Sequence, residues 1–174
     1  MDPSDDKPIS DMPTAIASSS SNTSLPSSAA CDSCAFSLVL RTSASGEMPA
    51  RCNIFIQLTD NFGRMGDKIR LKCSVTHRRK YQPGHSDLFV MADQPVMDPL
   101  KYIQVWHQRR ENGPALILHS INVIEHNTHT CYSFDCKNQK LGGDNPESRQ
   151  MNTAMFEVSG FAKVFRDREE KKKE

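Results

Sequence analysis

Between Phe36 and Phe134 apolar and polar residues alternate with a period of two, and no helical stripe competes with that pattern. Phe36, Leu38 and Leu40 fall on one face of a first extended segment, and Cys52, Ile54, Ile56 and Leu58 on one face of a second. Ile69, Leu71, Cys73 and Val75 repeat the pattern in a third, with Lys68, Arg70 and Lys72 on its opposite face. Further strands are predicted at Asp87 to Met91, Tyr102 to His107, Leu116 to Val123 and Thr130 to Phe134. Turn-forming clusters such as Asn61-Phe62-Gly63, Gln82-Pro83-Gly84 and Glu111-Asn112-Gly113-Pro114 separate them. Short strands of this kind need a second sheet to cover their apolar faces. The pattern therefore predicts an all-β fold, an antiparallel β-sandwich of about eight strands in two sheets, with a barrel as the alternative.

The two ends of the chain differ from this middle. Residues 1–35 are Ser/Pro-rich and lack any aromatic side chain. Such a segment buries too little apolar surface to offset its ordering entropy, so a disordered tail is expected. In residues 142–174, Met151, Ala154, Met155, Val158, Phe161, Ala162 and Phe165 recur at helical spacing, which predicts a linker followed by an amphipathic C-terminal helix. Ser159 and Gly160 weaken that helix, and a charged tail from Arg166 to Glu174 follows it. The predicted domain is thus 36–141. No apolar run approaches the roughly 20 residues that cross a bilayer, and no export signal begins the chain, so neither secretion nor membrane spanning is expected.

Charge is distributed unevenly. Residues 1–35 carry one Lys/Arg against five Asp/Glu, residues 36–141 fourteen against nine, and residues 142–174 seven against seven. The predicted sandwich is modestly basic, which suits anionic lipid or an acidic protein. Six cysteines without an export signal point to reduced thiols in a cytosolic setting. Cys31 and Cys34, with Cys131 and Cys136, do not make a convincing zinc site, because the first pair lies in the tail and the second spacing is wide. Trp106 and His107 read as packing plus a strand-end polar residue, and His126 and His129 lack partners that would complete a hydrolytic or zinc constellation. No phosphate-binding Gly loop or nucleophile motif is present, so no enzyme, metal or cofactor is expected.

Several elements occur in an order that resembles the PLAT (lipoxygenase homology) domain. They are Phe36 to Arg41, then Asn53 to Leu58, then Gly84-His85-Ser86-Asp87-Leu88-Phe89, which is similar to a Gly-Ser-x-x-Phe strand entry. Leu100 to His107 resembles the family's Leu-x-x-Ile-x-Val-Trp-His strand. Asn112-Gly113-Pro114 then precedes Leu116-Ile117-Leu118, and Tyr132-Ser133-Phe134-Asp135-Cys136 resembles the Phe-x-Cys close. Arg51 before Cys52-Asn53 is most like the polycystin branch. The resemblance implies a membrane-associated binding module on the cytosolic face, either free-standing or a piece of a polycystin-like cation channel. The positions that match the family's calcium site carry Arg51 and Gln108, and Leu116 follows Pro114-Ala115 where members place a lipid-wedging aromatic. A calcium cofactor is therefore not expected.

The candidate binding residues are basic. Lys68, Arg70 and Lys72 point the same way at intervals of about 6.7 Å if they lie on a strand, and Arg78, Arg79 and Lys80 continue the run, with Tyr81 as an interfacial anchor. Arg109 and Arg110 extend the patch if their loop lies alongside. The expected partners are acidic phospholipids or a membrane protein, and the expected location is cytoplasmic and peripheral to a membrane. Nucleic acid is not expected, because aromatics do not interleave with the basic residues. The alternative is a protein-interaction adaptor that makes its contact through Met155, Phe161 and Phe165 of the predicted helix.

Overall fold

The computed structural model describes residues 33–142 and 152–164. Among the described residues nine strands follow one another: β1 (Ser33–Thr42), β2 (Cys52–Asp60), β3 (Ile69–Arg70), β4 (Ser86–Pro95), β5 (Leu100–Arg109), β6 (Leu116–Glu125), β7 (Thr130–Leu141), β8 (Asn152–Glu157) and β9 (Gly160–Lys163). They form a five-stranded sheet in the order β4-β1-β6-β7-β9 and a four-stranded sheet in the order β3-β2-β5-β8, with antiparallel pairing throughout. The expected β-sandwich is present.

The period-two pattern explains the layering. Phe36, Leu38 and Leu40 from β1 and Ile121, Val123 and Phe134 from β6 and β7 are wholly buried, facing Ile54, Ile56, Ile103 and Val105 from the other sheet. Each such side chain contributes roughly 1.5–3 kcal/mol when removed from water. In β6 the buried positions change from Leu116 and Leu118 to Ile121 and Val123, a switch that strict alternation forbids. The register shifts there, between Leu118 and Ser120, and Lys137 and Asn138 on β7 adopt positive φ to absorb the extra residues. This is a β-bulge, which re-aims side chains without ending the strand.

Two expectations are corrected. Residues 152–157 and 160–163 are strands and not a helix: Ala154 and Phe156 of β8 pair with Val105 and Ile103 of β5. Ala154, Phe156 and Val158 pack against the core, while Met155 and Phe161, on the predicted helical stripe, are exposed. Without β8, β5 would present an open row of backbone donors and acceptors, and satisfying that edge outweighs local periodicity. The sheets thus continue beyond Leu141, and Phe165 lies outside the described residues, as do 1–32 and the charged tail from Arg166. The third predicted strand is also cut short. Leu71 still donates to the Ile54 carbonyl at 2.9 Å, but Cys73 and Val75 are exposed. Val75 instead donates to the Leu88 carbonyl on β4 at 2.7 Å, so the chain crosses from one sheet to the other here.

Candidate functional site

That crossing, residues 71–85, builds one side of a groove at the end of the sandwich where β2 begins and β5 ends. The groove has a volume of about 820 Å³. Arg51 enters it from the start of β2, Arg70 from β3, Lys72, Arg78, Arg79 and Lys80 from the crossing segment, and Arg110 from the end of β5. Seven cationic side chains therefore line a concavity that contains one acidic residue, Glu111, whose carboxylate accepts the Arg51 backbone N–H at 2.9 Å. Cations so arranged raise the local potential, and the low-dielectric wall of the groove focuses it.

The structure divides the sequence-predicted residues. Arg70, Lys72, Arg78, Arg79 and Lys80 converge on the groove, whereas Lys68 stands over the Phe55 and Trp106 rings on the four-stranded sheet. Arg70 donates through Nη2 to Asn53 Oδ1 at 2.6 Å, which fixes its guanidinium beside the mouth. Lys80 is a brace. Its ammonium donates to the carbonyls of Leu71 and Lys72 at 2.7 and 2.6 Å, and burial holds it below the usual lysine range.

Tyr81 is not an interfacial anchor. It is 4 % exposed, and its ring packs near Phe89 with 6.2 Å between centroids. The aromatic body is worth more in the core than in solvent, and the Tyr81 hydroxyl reaches the Leu71 carbonyl at 3.4 Å. Cys52 forms part of the same floor, and burial pushes its thiol up to about 11 although Lys80 acts in the opposite direction. Arg110, which the sequence offered as an extension of the patch, lines the groove, and Arg51 is the member that the sequence did not point to. They are about 60 positions apart, and only the Cys52–Arg109 pairing of β2 with β5 brings them together.

The shape of the basic arm depends on Asp87, a fully buried carboxylate on β4. Oδ1 accepts the Ser74 hydroxyl at 2.8 Å and lies 3.3 Å from His77 Nδ1, while Oδ2 accepts the Tyr81 backbone N–H at 2.7 Å. Ser74 Oγ in turn accepts the His77 N–H at 3.1 Å. A single carboxylate thereby ties down three points of the segment that carries Arg78, Arg79 and Lys80.

A second cleft, of about 690 Å³, opens where β8 passes to β9, between Pro99, Leu100, Tyr132, Val158 and Phe161. It lies at the other end of β5 from the basic groove. Phe161 is 76 % exposed on its rim and Met155 64 % exposed on β8.

No protein-family model matches this chain, and no curated protein matches it. Solved structures do. A coral 8R-lipoxygenase, described as activated by calcium through a C2-like domain, superposes with a TM-score of 0.52 at 13 % identity over 71 % of this chain. A calcium-dependent 11R-lipoxygenase gives 0.51 at 11 % over 72 %, and a lipoxygenase in complex with arachidonate gives 0.54 at 11 % over 72 %. This chain spans only 16–17 % of the length of those enzymes. At such identities the likeness establishes the fold, a lipoxygenase-type PLAT-like β-sandwich.

Proposed function

We propose that this chain is a non-catalytic, peripheral membrane-binding module that holds acidic phospholipid head groups in the basic groove. The observation that carries the reading is the meeting of seven cationic side chains with one carboxylate around a single concavity. Each Lys or Arg near an anionic bilayer contributes around 1 kcal/mol, screened by salt. The lipoxygenase likeness supports a module of this type, and its small share of those chains leaves their oxidative chemistry out of the proposal. The coral enzyme couples its C2-like domain to calcium. The positions that the PLAT resemblance matches to the family's calcium site carry Arg51 and Gln108, so the reading assigns the attraction of anionic lipid to the groove's own cations. The finer likeness to the polycystin branch rests on Arg51-Cys52-Asn53 and on the order of the motifs. A cytosolic membrane face fits the free thiols of Cys34, Cys52, Cys73, Cys131 and Cys136.

The test is co-sedimentation of the full chain with phosphatidylcholine vesicles, with and without phosphatidylserine, at two salt concentrations, with calcium or chelator. Binding is expected only to acidic vesicles, without a calcium requirement, and it should fall steeply with salt. Arg78→Gln with Arg79→Gln should lower affinity roughly thirtyfold, the worth of two such contacts. Binding that ignores both salt and the double variant would sink the reading.

The exposed Met155 and Phe161 favour a second reading, a protein adaptor that makes its contact along β8 and β9. In that case Phe161→Ser abolishes partner binding while salt leaves it intact.

A further inference from the structure

We propose that His77 and Asp87 form a proton-linked positioning device for the groove, so that its hold on acidic lipid tightens as pH falls; this rests on the groove reading above. Ser74 and Tyr81 anchor the crossing segment to Asp87 by bonds that do not change charge near neutrality. His77 is the third tether. Its side chain is 36 % exposed while that of Asp87 is wholly buried, so the imidazole exchanges protons with solvent from a fixed place beside a carboxylate. Histidine is the side chain whose charge ordinarily changes between about pH 5 and 8. A neutral imidazole offers one N–H and one bare nitrogen, and which of them faces Asp87 varies with tautomer. The imidazolium donates from both nitrogens, so Nδ1–H always points a charged donor at Oδ1.

His77 stands among other charged and titratable groups. Asp87 on β4 faces His77 directly, with Oδ1 3.3 Å from Nδ1. The His85 ring, from the turn before β4, lies 4.8 Å away between centroids. Arg78 and Arg79 follow His77 in the chain, and Lys80 shares the Asp87 field. An anion held at Arg78 and Arg79 brings negative charge to the positions next to His77 in the chain. Proton and anion uptake at this arm therefore reinforce one another, as linkage requires. A protonated His77 both fastens the arm to Asp87 and adds a positive charge beside the groove.

The experiment uses the full chain and His77→Gln, which changes a partly exposed side chain and leaves the other Asp87 bonds in place. Co-sedimentation with equimolar phosphatidylserine and phosphatidylcholine vesicles is measured from about pH 8 to about pH 5.5. Wild-type affinity is expected to rise about fivefold more than that of the variant over this range, the worth of one added charge at an acidic bilayer. In parallel, the NMR shift of the Tyr81 amide, which donates to Asp87, is followed in the free protein. It should titrate with the His77 imidazole in wild type and stay flat in His77→Gln. An equal rise in both proteins, or a flat Tyr81 amide in wild type, overturns the proton linkage. A titrating Tyr81 amide with no vesicle binding at any pH supports the Asp87–His77 device and overturns the lipid reading.

Discussion

The ammonium of Lys68 stands 4.1 Å from the centre of the Trp106 ring, across the outer surface of the four-stranded sheet. It also approaches the Phe55 ring at 5.5 Å. A cation over an indole face at such a site is worth about 0.5–1 kcal/mol, so this residue of the basic run serves the fold. Lys68→Met is expected to lower stability by about that amount in urea titration. It should shift the emission of the single tryptophan and leave affinity for acidic vesicles unchanged. An equal loss of affinity in Lys68→Met and in Arg78→Gln would mean that vesicles are bound by diffuse charge and not by the groove.

Tyr81 separates architecture from contact in the same way. It has positive φ, is buried, and lies under the arm that carries Arg78 and Arg79. Removing the ring leaves a cavity in a core that cannot fully collapse, so Tyr81→Ala should cost about 3–5 kcal/mol. Tyr81→Phe keeps the ring and loses only the hydroxyl bond to the Leu71 carbonyl, for about 1 kcal/mol, with vesicle binding intact. Urea titration with co-sedimentation checks both. Full stability in Tyr81→Ala would contradict the packing described for this residue.

The sandwich was legible because its strands obey one simple rule. Phe36, Leu38 and Leu40, or Ile54 and Ile56, declare a buried face by spacing alone. The bulge at Ser120 and the strands β8 and β9 were not legible, because each depends on a partner far away in sequence. Ala154 and Phe156 belong to a strand because β5 has an edge to fill, and the local pattern of Met155, Val158 and Phe161 equally suits a helix. The site shows the same limit. A contiguous run of charge at Arg78, Arg79 and Lys80 is visible to inspection. The inclusion of Arg51 follows from the β2–β5 pairing that sets it beside Arg110, the exclusion of Lys68 from its place over Phe55 and Trp106, and the bracing by Lys80 and the burial of Tyr81 from the crossing between sheets. Asp87 looked like a polar position in a strand entry, and its role as an anchor for Ser74, His77 and Tyr81 emerges only once the segment folds back over it.

Two carboxylates outside the groove set the expected acid limit of the fold. Asp60 is 1 % exposed and would be raised by burial, but it accepts the N–H groups of Phe62 and Arg64 and the Arg64 Nε at 2.6 Å. These bonds outweigh burial and hold it below the ordinary aspartate range. Glu125 is likewise opposed by burial, yet its bonds from Thr128, Asn127 and the Cys34 thiol hold it below the usual glutamate range. Both groups have a lower pKa folded than unfolded, where such carboxyls titrate near about 3.9–4.3. Their contribution is therefore complete above that range and disappears as pH falls through the folded values, so stability is expected to decline below about pH 4. The two partners of Asp60 are unequal. The Arg64 side chain is 60 % exposed and solvent screens its charge, so Arg64→Gln should cost no more than about 1 kcal/mol. Asp60→Ala leaves the part-buried N–H bonds of Phe62 and Arg64 without their acceptor and should cost about 2–3 kcal/mol. It should also shift the acid midpoint upward at constant denaturant. Urea titrations repeated between about pH 3 and pH 7 distinguish the two variants. If Arg64→Gln proves as costly as Asp60→Ala, the ion pair holds this turn and the backbone bonds to Asp60 do not.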